Sequence, residues 1–356
     1  MVLETRFRTA TGAVTLTDFM ALHPEDRHND IGLHSPSGIA RIVECTDGHV
    51  DRDLDVEIAI RPEYGLTTPR VRQTSAGAWR TRDGPIAMTV SSDADLEVDG
   101  AVLRAAISLE AGGRVSFSLQ TGDPWGDPRP DRDPESIITR RATAISGWQS
   151  WAEKLIGYEG PYRHLRRPSA IVLRALNYAP TGAIVAAPTT SLHEEIGGVR
   201  NWDYRYTWVR DSSFPIGALA ASGCAFEATR SFDFFGNAAA GSLQGLRIMY
   251  GIRGERFIPE HGLTSGNGAW NQTQLDVYGE LLDAAWKISE LEIEIDPELG
   301  PFLANVADRA VLRWRDIDDG IWEVRGGAGH FLYSKLMNGS ARTRRHSDAT
   351  SSMRPF

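Results

Sequence analysis

The sequence predicts a multidomain α+β chain, an N-terminal antiparallel β-sandwich followed by a helical domain. Three observations carry this. Residues 1–121 alternate apolar and polar side chains with period two between short turn signals. Beyond about residue 145 the apolar residues recur at helical spacing. Between them TGDPWGDPRPDRDPES (121–136) is so rich in Pro, Asp and Gly that it reads as a linker or crossing loop, and the boundary is placed at 122–145. The 356 residues suit two domains, and 41% hydrophobic against 24% charged residues supports a sizeable core.

The strands are clearest in DVEIAI (Val56, Ile58, Ile60), AVLRAAISL and RVSFSL. Turns are expected at Asp47-Gly48, Asp83-Gly84, Asp99-Gly100 and Gly112-Gly113. In the second half SAIVLRALNYA (169–179) has Pro168 and Ser169 at its start and helical apolar spacing after them. Ser212 and Ser213 are placed to cap a helix beginning near Phe214, with Pro215 in its first turn and Gly223 at its end. NQTQLDVYGELLDAAWKISELEIEI and PFLANVADRAVLRWRDI predict two more long helices, and HFLYSKLM (330–337) opens an amphipathic one. The tail 338–356 is rich in Arg and Ser and nearly free of aliphatic residues.

Composition excludes several partners. A formal charge of −9 argues against nucleic acid and anionic membranes, whose ligands carry basic surfaces. No apolar run reaches the roughly 20 residues of a membrane span, and the first residues lack the apolar stretch of a secretory signal. The two cysteines, Cys45 and Cys224, make no disulfide framework, so a cytoplasmic location is expected. HExxH, CxxC, GxSxG and Walker sequences are absent, and the histidines lack ligand spacing. No metal and no cofactor is expected. GNGAWN (266–271) carries only two glycines of a dinucleotide loop.

What remains is carboxylates beside aromatic rings. In GVRNWDYRYTWVRDSSFP (198–215), Trp202, Tyr204, Tyr206 and Trp208 alternate with Asp203 and Arg205, and Arg210 and Asp211 follow. A sugar presents an apolar C–H face and a rim of hydroxyls, and rings plus Arg210 and Asp211 would meet both. A buried strand whose charges pair with each other explains the same pattern equally well. Asp211, just before a helix N-terminus, suits a fixed acceptor better than a proton donor. In DDGIWEVRGGAGHF (318–331), Glu323 follows Trp322 in a Gly-rich turn. Burial against an indole would raise its pKa toward that of a general acid, and Arg325 would oppose this if close. The plainer alternative is a surface glutamate in a loop.

The run YAPTGAIVAAPTTSLHEEIGGVRNWDYRYTWVRDSSFPIGAL, with RIMYGIRGER, QLDVYGELLDA and DDGIWEVRGGAGHFLYSKLM, closely resembles bacterial members of glycoside hydrolase family 15, which holds glucoamylases, glucodextranases and trehalases. LETRFRTATGAVTLTDFM is similar to that family's β-sandwich, and the likeness covers about residues 2–337. The resemblance implies an (α/α)6 barrel after the sandwich, over 146–337, and hydrolysis of α-glucosidic bonds from the non-reducing end with inversion. It implies an α-glucan oligosaccharide or trehalose as substrate. Trp208, Arg210 and Asp211 match its motif for holding the terminal glucose, with Trp208 against the ring and Trp202 and Tyr204 packed inward as support. Glu323, beside Trp322, matches its general acid, and Tyr206, Gln274 and Asp276 lie in matching motifs.

The chain departs from the family in three places. The sandwich lacks the segment that normally precedes VLETRF, Thr264-Ser265 stands in place of a longer loop, and the family continues for several helices after SKLM, where its general base lies. The barrel is therefore expected to be incomplete, the 338–356 tail to be the product of a shifted frame, and the chain to be inactive. EIEIDPELG (292–300) is an acidic run, but its place before the acid favours capping of a helix junction over the role of base. Besides glucoamylase-type hydrolysis, the alternatives are a trehalase, a silent sugar-binding fragment and an inverting glycoside phosphorylase.

Overall fold

A computed structural model describes residues 1–62, 67–81, 83–84, 86–126, 134–189, 202–239, 246–260, 266–323 and 326–340. The chain forms two compact units, Met1–Glu153 and Lys154–Phe356.

In the first unit nine strands form one connected antiparallel sheet. They are β1 (Val2–Arg8), β2 (Gly12–Met20), β3 (Gly38–Ala59), β4 (Val71–Gln73), β5 (Trp79–Thr81), β6 (Ala87–Ser92), β7 (Glu97–Asp99), β8 (Val102–Glu110) and β9 (Arg114–Gly122). The main path runs β1-β2-β3-β9-β6-β5-β4, and β7 and β8 branch from β3. The branch follows from the length of β3, 22 residues. Its first half pairs with β2 and β9, and its second half pairs with β8. Apolar residues on alternate positions of these strands make the core: Val14, Val43, Val90, Val115 and Phe117 meet Leu103 and Ile107 of β8. The strands read from DVEIAI, AVLRAAISL and RVSFSL are all present.

Asp47-Gly48 is not a turn. β3 runs straight through it, and the irregularity is a register shift opposite Ala13/Val14. Gly48 takes φ 61, and a Cβ there would lie 2.1 Å from the Thr11 carbonyl oxygen, so only glycine lets the strands approach. Part of the stretch expected as a linker, 122–145, is helical. Helix α1 (Pro134–Ala152) starts inside it and belongs to the first unit. Proline at a first helical position loses no bond there, and Ile137, Ala144 and Trp151 are buried.

The second unit is mainly helical. It holds α2 (Arg163–Leu176), β10 (Asn177–Tyr178), β11 (Ala183–Ile184), β12 (Thr207–Trp208), α3 (Val209–Ala221), α4 (Ala225–Ala239), β13 (Met249–Tyr250), α5 (Asp276–Glu290), α6 (Gly300–Arg313) and a helix at 332–340. α3 packs against α2, α4 and α5, and α5 packs against α6. α2 begins before Pro168 rather than after it. α4 was not legible as a separate element.

α3 starts five residues earlier than its serines suggest. Ser212 and Ser213 are buried inside it, and their hydroxyls donate to the carbonyls of Ile184 (3.4 Å) and Val209 (2.8 Å). A serine satisfied by its own helix backbone is not a cap. Gly223 does end α3, at φ 88. Among the described residues no helix is long and apolar enough to cross a membrane. The acidic run at 292–300 is a helix junction: Asp296 Oδ1 accepts from Glu298 N at 2.9 Å and caps a 3-10 turn, Pro297–Leu299.

Candidate active site

The site lies within the second unit, where β12 runs into α3. β12 pairs with β13, Thr207 opposite Tyr250 and Trp208 opposite Met249. The pairing fixes the direction in which α3 leaves, and so the places of Arg210 and Asp211 in its first turn. The segment 318–329 is closed by mutual backbone bonds between Asp318 and Gly329, 2.9 and 2.8 Å. Two carboxylates then pin it to the start of α5. Asp318 Oδ2 accepts from Leu275 N (2.9 Å) and Asp319 Oδ2 from Thr273 N (2.7 Å). The turn that follows carries Ile321, Trp322 and Glu323. Glu323 takes φ 52, a left-handed conformation that a non-glycine residue holds only when its surroundings impose it.

One surrounding contact is direct. The indole N–H of Trp208 donates to Glu323 Oε1 at 2.8 Å. Beside it, Arg210 Nη1 donates to Gln274 Oε1 (2.8 Å) and to Asp276 Oδ2 (3.0 Å), and Nη2 reaches the Ile321 carbonyl (3.4 Å). Arg210 therefore braces three segments: α3, the start of α5 and the turn that carries Glu323. Burial pushes the Asp276 carboxyl up from its ordinary 3.8, while the charge and hydrogen bond of Arg210 pull it back only in part. One turn further along α5, burial also raises Glu280, against the hydrogen bond it accepts from the Tyr333 hydroxyl.

In front of these buried groups lies a cleft of about 500 Å3. Of the residues read as a site from the sequence, Trp208, Arg210, Asp211, Trp322 and Glu323 line it. The rings are placed differently from the expectation. Trp208 lines the cleft but is only 3% exposed, its indole N–H bonded to Glu323, and Trp202 and Tyr204, expected to pack inward as support, line the cleft as well. Tyr204 is 38% exposed and Trp322 82%. Tyr206 is not among the cleft-lining residues; its ring lies 6.4 Å from that of Trp208. Gln274 and Asp276 are buried behind Arg210. Arg325 lies outside the described residues. Asn267, Ala269 and Gln272, which also line the cleft, carry no site motif in the sequence. Their only signal was the glycine pair in GNGAWN just ahead of α5.

Asp203 ties the segment carrying Trp202 and Tyr204 to that carrying Asn267 and Ala269. Its carboxylate takes two bonds from the Arg205 guanidinium (2.8 Å each) and one from Gly266 N (3.2 Å). Burial works to raise its pKa, but these bonds outweigh it and keep the group below its usual range. Behind the cleft, Asn338 is 1% exposed and donates to the carbonyls of Leu275 (3.0 Å) and Ser334 (2.8 Å). The 332–340 helix thus continues past Met337 into the residues expected to form an aberrant tail.

Residues 160–344 match the family described as glycosyl hydrolases family 15. The chain belongs to that family. The family match also passes Met337. Among its relatives is a trehalase from Mycolicibacterium smegmatis, 31% identical over 95% of this chain and 54% of that protein. Trehalases from Thermoplasma volcanium (35%, covering 96% of this chain and 54% of that protein) and Mycobacterium tuberculosis (29%, covering 95% and 53%) align similarly. The chain spans about half the length of these relatives.

The raised Asp276 pKa has a signed consequence. The folded chain binds this proton more tightly than the unfolded one, so the ionised carboxylate costs stability at neutral pH. That cost is relieved as pH falls through the raised value toward 3.8. Asp276→Asn is expected to compare best with the parent chain at pH 7 and to lose ground as the pH approaches 4. Thermal melts across that range check this, and a constant gap between the two proteins contradicts it.

Proposed function

We propose that this cleft holds the terminal glucosyl unit of an α-glucoside and that Glu323 donates a proton to the glycosidic oxygen. The observation that carries the reading is the placement of Glu323, fixed by the Trp208 indole in an aromatic-walled cleft beside Asp211. Rings offer the C–H face of a pyranose its contact, and Asp211 offers its hydroxyls an acceptor. Trehalose is the favoured substrate, because the relatives aligned along most of this chain are called trehalases. A glucoamylase-type reading on longer α-glucans rests on the motifs alone. The helices of the second unit are read as part of an (α/α)6 barrel.

Inverting hydrolysis needs a second carboxylate roughly 6.5–9.5 Å from the acid, with water between them. Among the described residues, the carboxylates lining the cleft are Asp211 and Glu323. Asp211 is assigned to the sugar, and Asp276 and Glu280 lie behind the cleft, held by Arg210 and Tyr333. The chain is accordingly read as binding sugar and presenting the acid without an assigned base. Incubated with trehalose, maltose or soluble starch, it is expected to release glucose no faster than the uncatalysed background. Release above background that Glu323→Gln abolishes would overturn the inactivity and keep the acid. Release that survives Glu323→Gln would overturn the role of Glu323.

A further inference from the structure

We infer that Asn267 is a substrate-binding residue, whose side-chain amide N–H2 donates to a sugar hydroxyl in the cleft that Asp211 also lines. The inference rests on the reading of the cleft as a sugar site. Asn267 lines the cleft and is only 4% exposed. Its Oδ1 is committed to the backbone, accepting from Ala269 N at 2.9 Å. That bond fixes which end of the amide is which, and leaves Nδ2 as the polar end available to the cleft.

The side chain is held before any ligand arrives. Trp270 N donates to the Asn267 carbonyl at 3.1 Å, closing the turn that the Oδ1 bond begins. One residue earlier, Gly266 takes φ 73, and a Cβ there would lie 1.9 Å from the Pro259 carbonyl oxygen. Gly266 N is the group that Asp203 holds. Asn267 is thus tied through its neighbour to the segment carrying Trp202 and Tyr204. A donor fixed in this way loses little side-chain freedom on binding.

The chemistry complements that of Asp211. Asp211 can only accept when ionised, and Arg210 is already engaged by Gln274, Asp276 and Ile321. A hydroxyl both donates and accepts, so a sugar in this cleft is served by a donor as well as by the acceptor Asp211. Asn267 supplies that donor without adding charge, which suits a neutral sugar.

The test is calorimetric titration of the chain with trehalose and with maltose. Asn267→Asp keeps the oxygen that caps Ala269 N and replaces the donor by an acceptor. It is expected to bind about tenfold more weakly, the scale of one neutral hydrogen bond, with an unchanged melting temperature. Asn267→Ser keeps a turn-capping oxygen, removes the amide and is expected to lose a similar factor; it decides the matter if the aspartate variant does not fold. If either folded variant binds both sugars as the parent chain does, the role of Asn267 is wrong while the sugar site stands. If the parent chain binds neither sugar, the sugar-site reading falls and takes the inference with it.

Discussion

Arg210→Ala is expected to destabilise the chain by roughly 3–5 kcal/mol, the cost of leaving a buried carboxylate without its cation. The Asp276 side chain is fully buried and that of Arg210 only 17% exposed, so the carboxylate depends on the guanidinium rather than on bulk water. Gln274 Oε1 and the Ile321 carbonyl lose their donor at the same time. The turn that carries Glu323 then loses a tie to α3, so sugar binding should fall with stability. Arg210→Met combined with Asp276→Leu, which removes both charges, is expected to recover much of the loss in stability but none of the binding. Urea denaturation of the three proteins checks this. An Arg210→Ala chain within about 0.5 kcal/mol of the parent would place the pair among the ion pairs that contribute little.

Gly279→Ala sets two effects of opposite sign against each other. Gly279 lies inside α5, where alanine is intrinsically better than glycine by about 1 kcal/mol. A Cβ there would, however, lie 2.3 Å from the Met337 carbonyl oxygen and 2.5 Å from its carbon. Those are backbone atoms, and they can yield only if the 332–340 helix moves. Overpacking of this kind costs roughly 1–3 kcal/mol or more, so net destabilisation is expected. The displaced helix also carries Tyr333 and Asn338, whose bonds to Glu280 and Leu275 would loosen. Denaturant unfolding gives the sign, and proteolysis within 332–340 should accelerate. A chain stabilised by the substitution would mean that this helix does not rest on α5.

Much of the fold was legible because its signals are local. Alternation in β3, β8 and β9 and helical spacing in α5 and α6 need only a short window of sequence. The errors came where tertiary contacts overrode a local cue. Ser212 and Ser213 look like caps, but their hydroxyls bond to carbonyls inside and beside α3. Asp47-Gly48 looks like a turn, but it lies within β3 and pairs with Ala13 and Gly12 of β2. Glu323 was found through its neighbour Trp322, yet the indole that holds it is Trp208, far away in sequence. No window of residues could have shown that Trp208 is buried or that Tyr204 is exposed. Asn267 was invisible for a related reason: its interest comes from the residues that line the cleft with it.

The bond between Trp208 and Glu323 joins residues 115 positions apart, and Arg210 reaches Gln274 and Asp276 over 64 and 66 positions. Pairings of such range form slowly, because a long loop must be closed before any contact rewards it. During synthesis, α3 emerges well before the residues that complete its charge balance. Arg210 and Asp211 must wait in an unfinished environment until the turn at 321–323 has left the ribosome. The cleft is therefore among the last parts of the second unit to assemble, and its aromatic wall stays open to wrong partners for as long as translation takes to cover that distance.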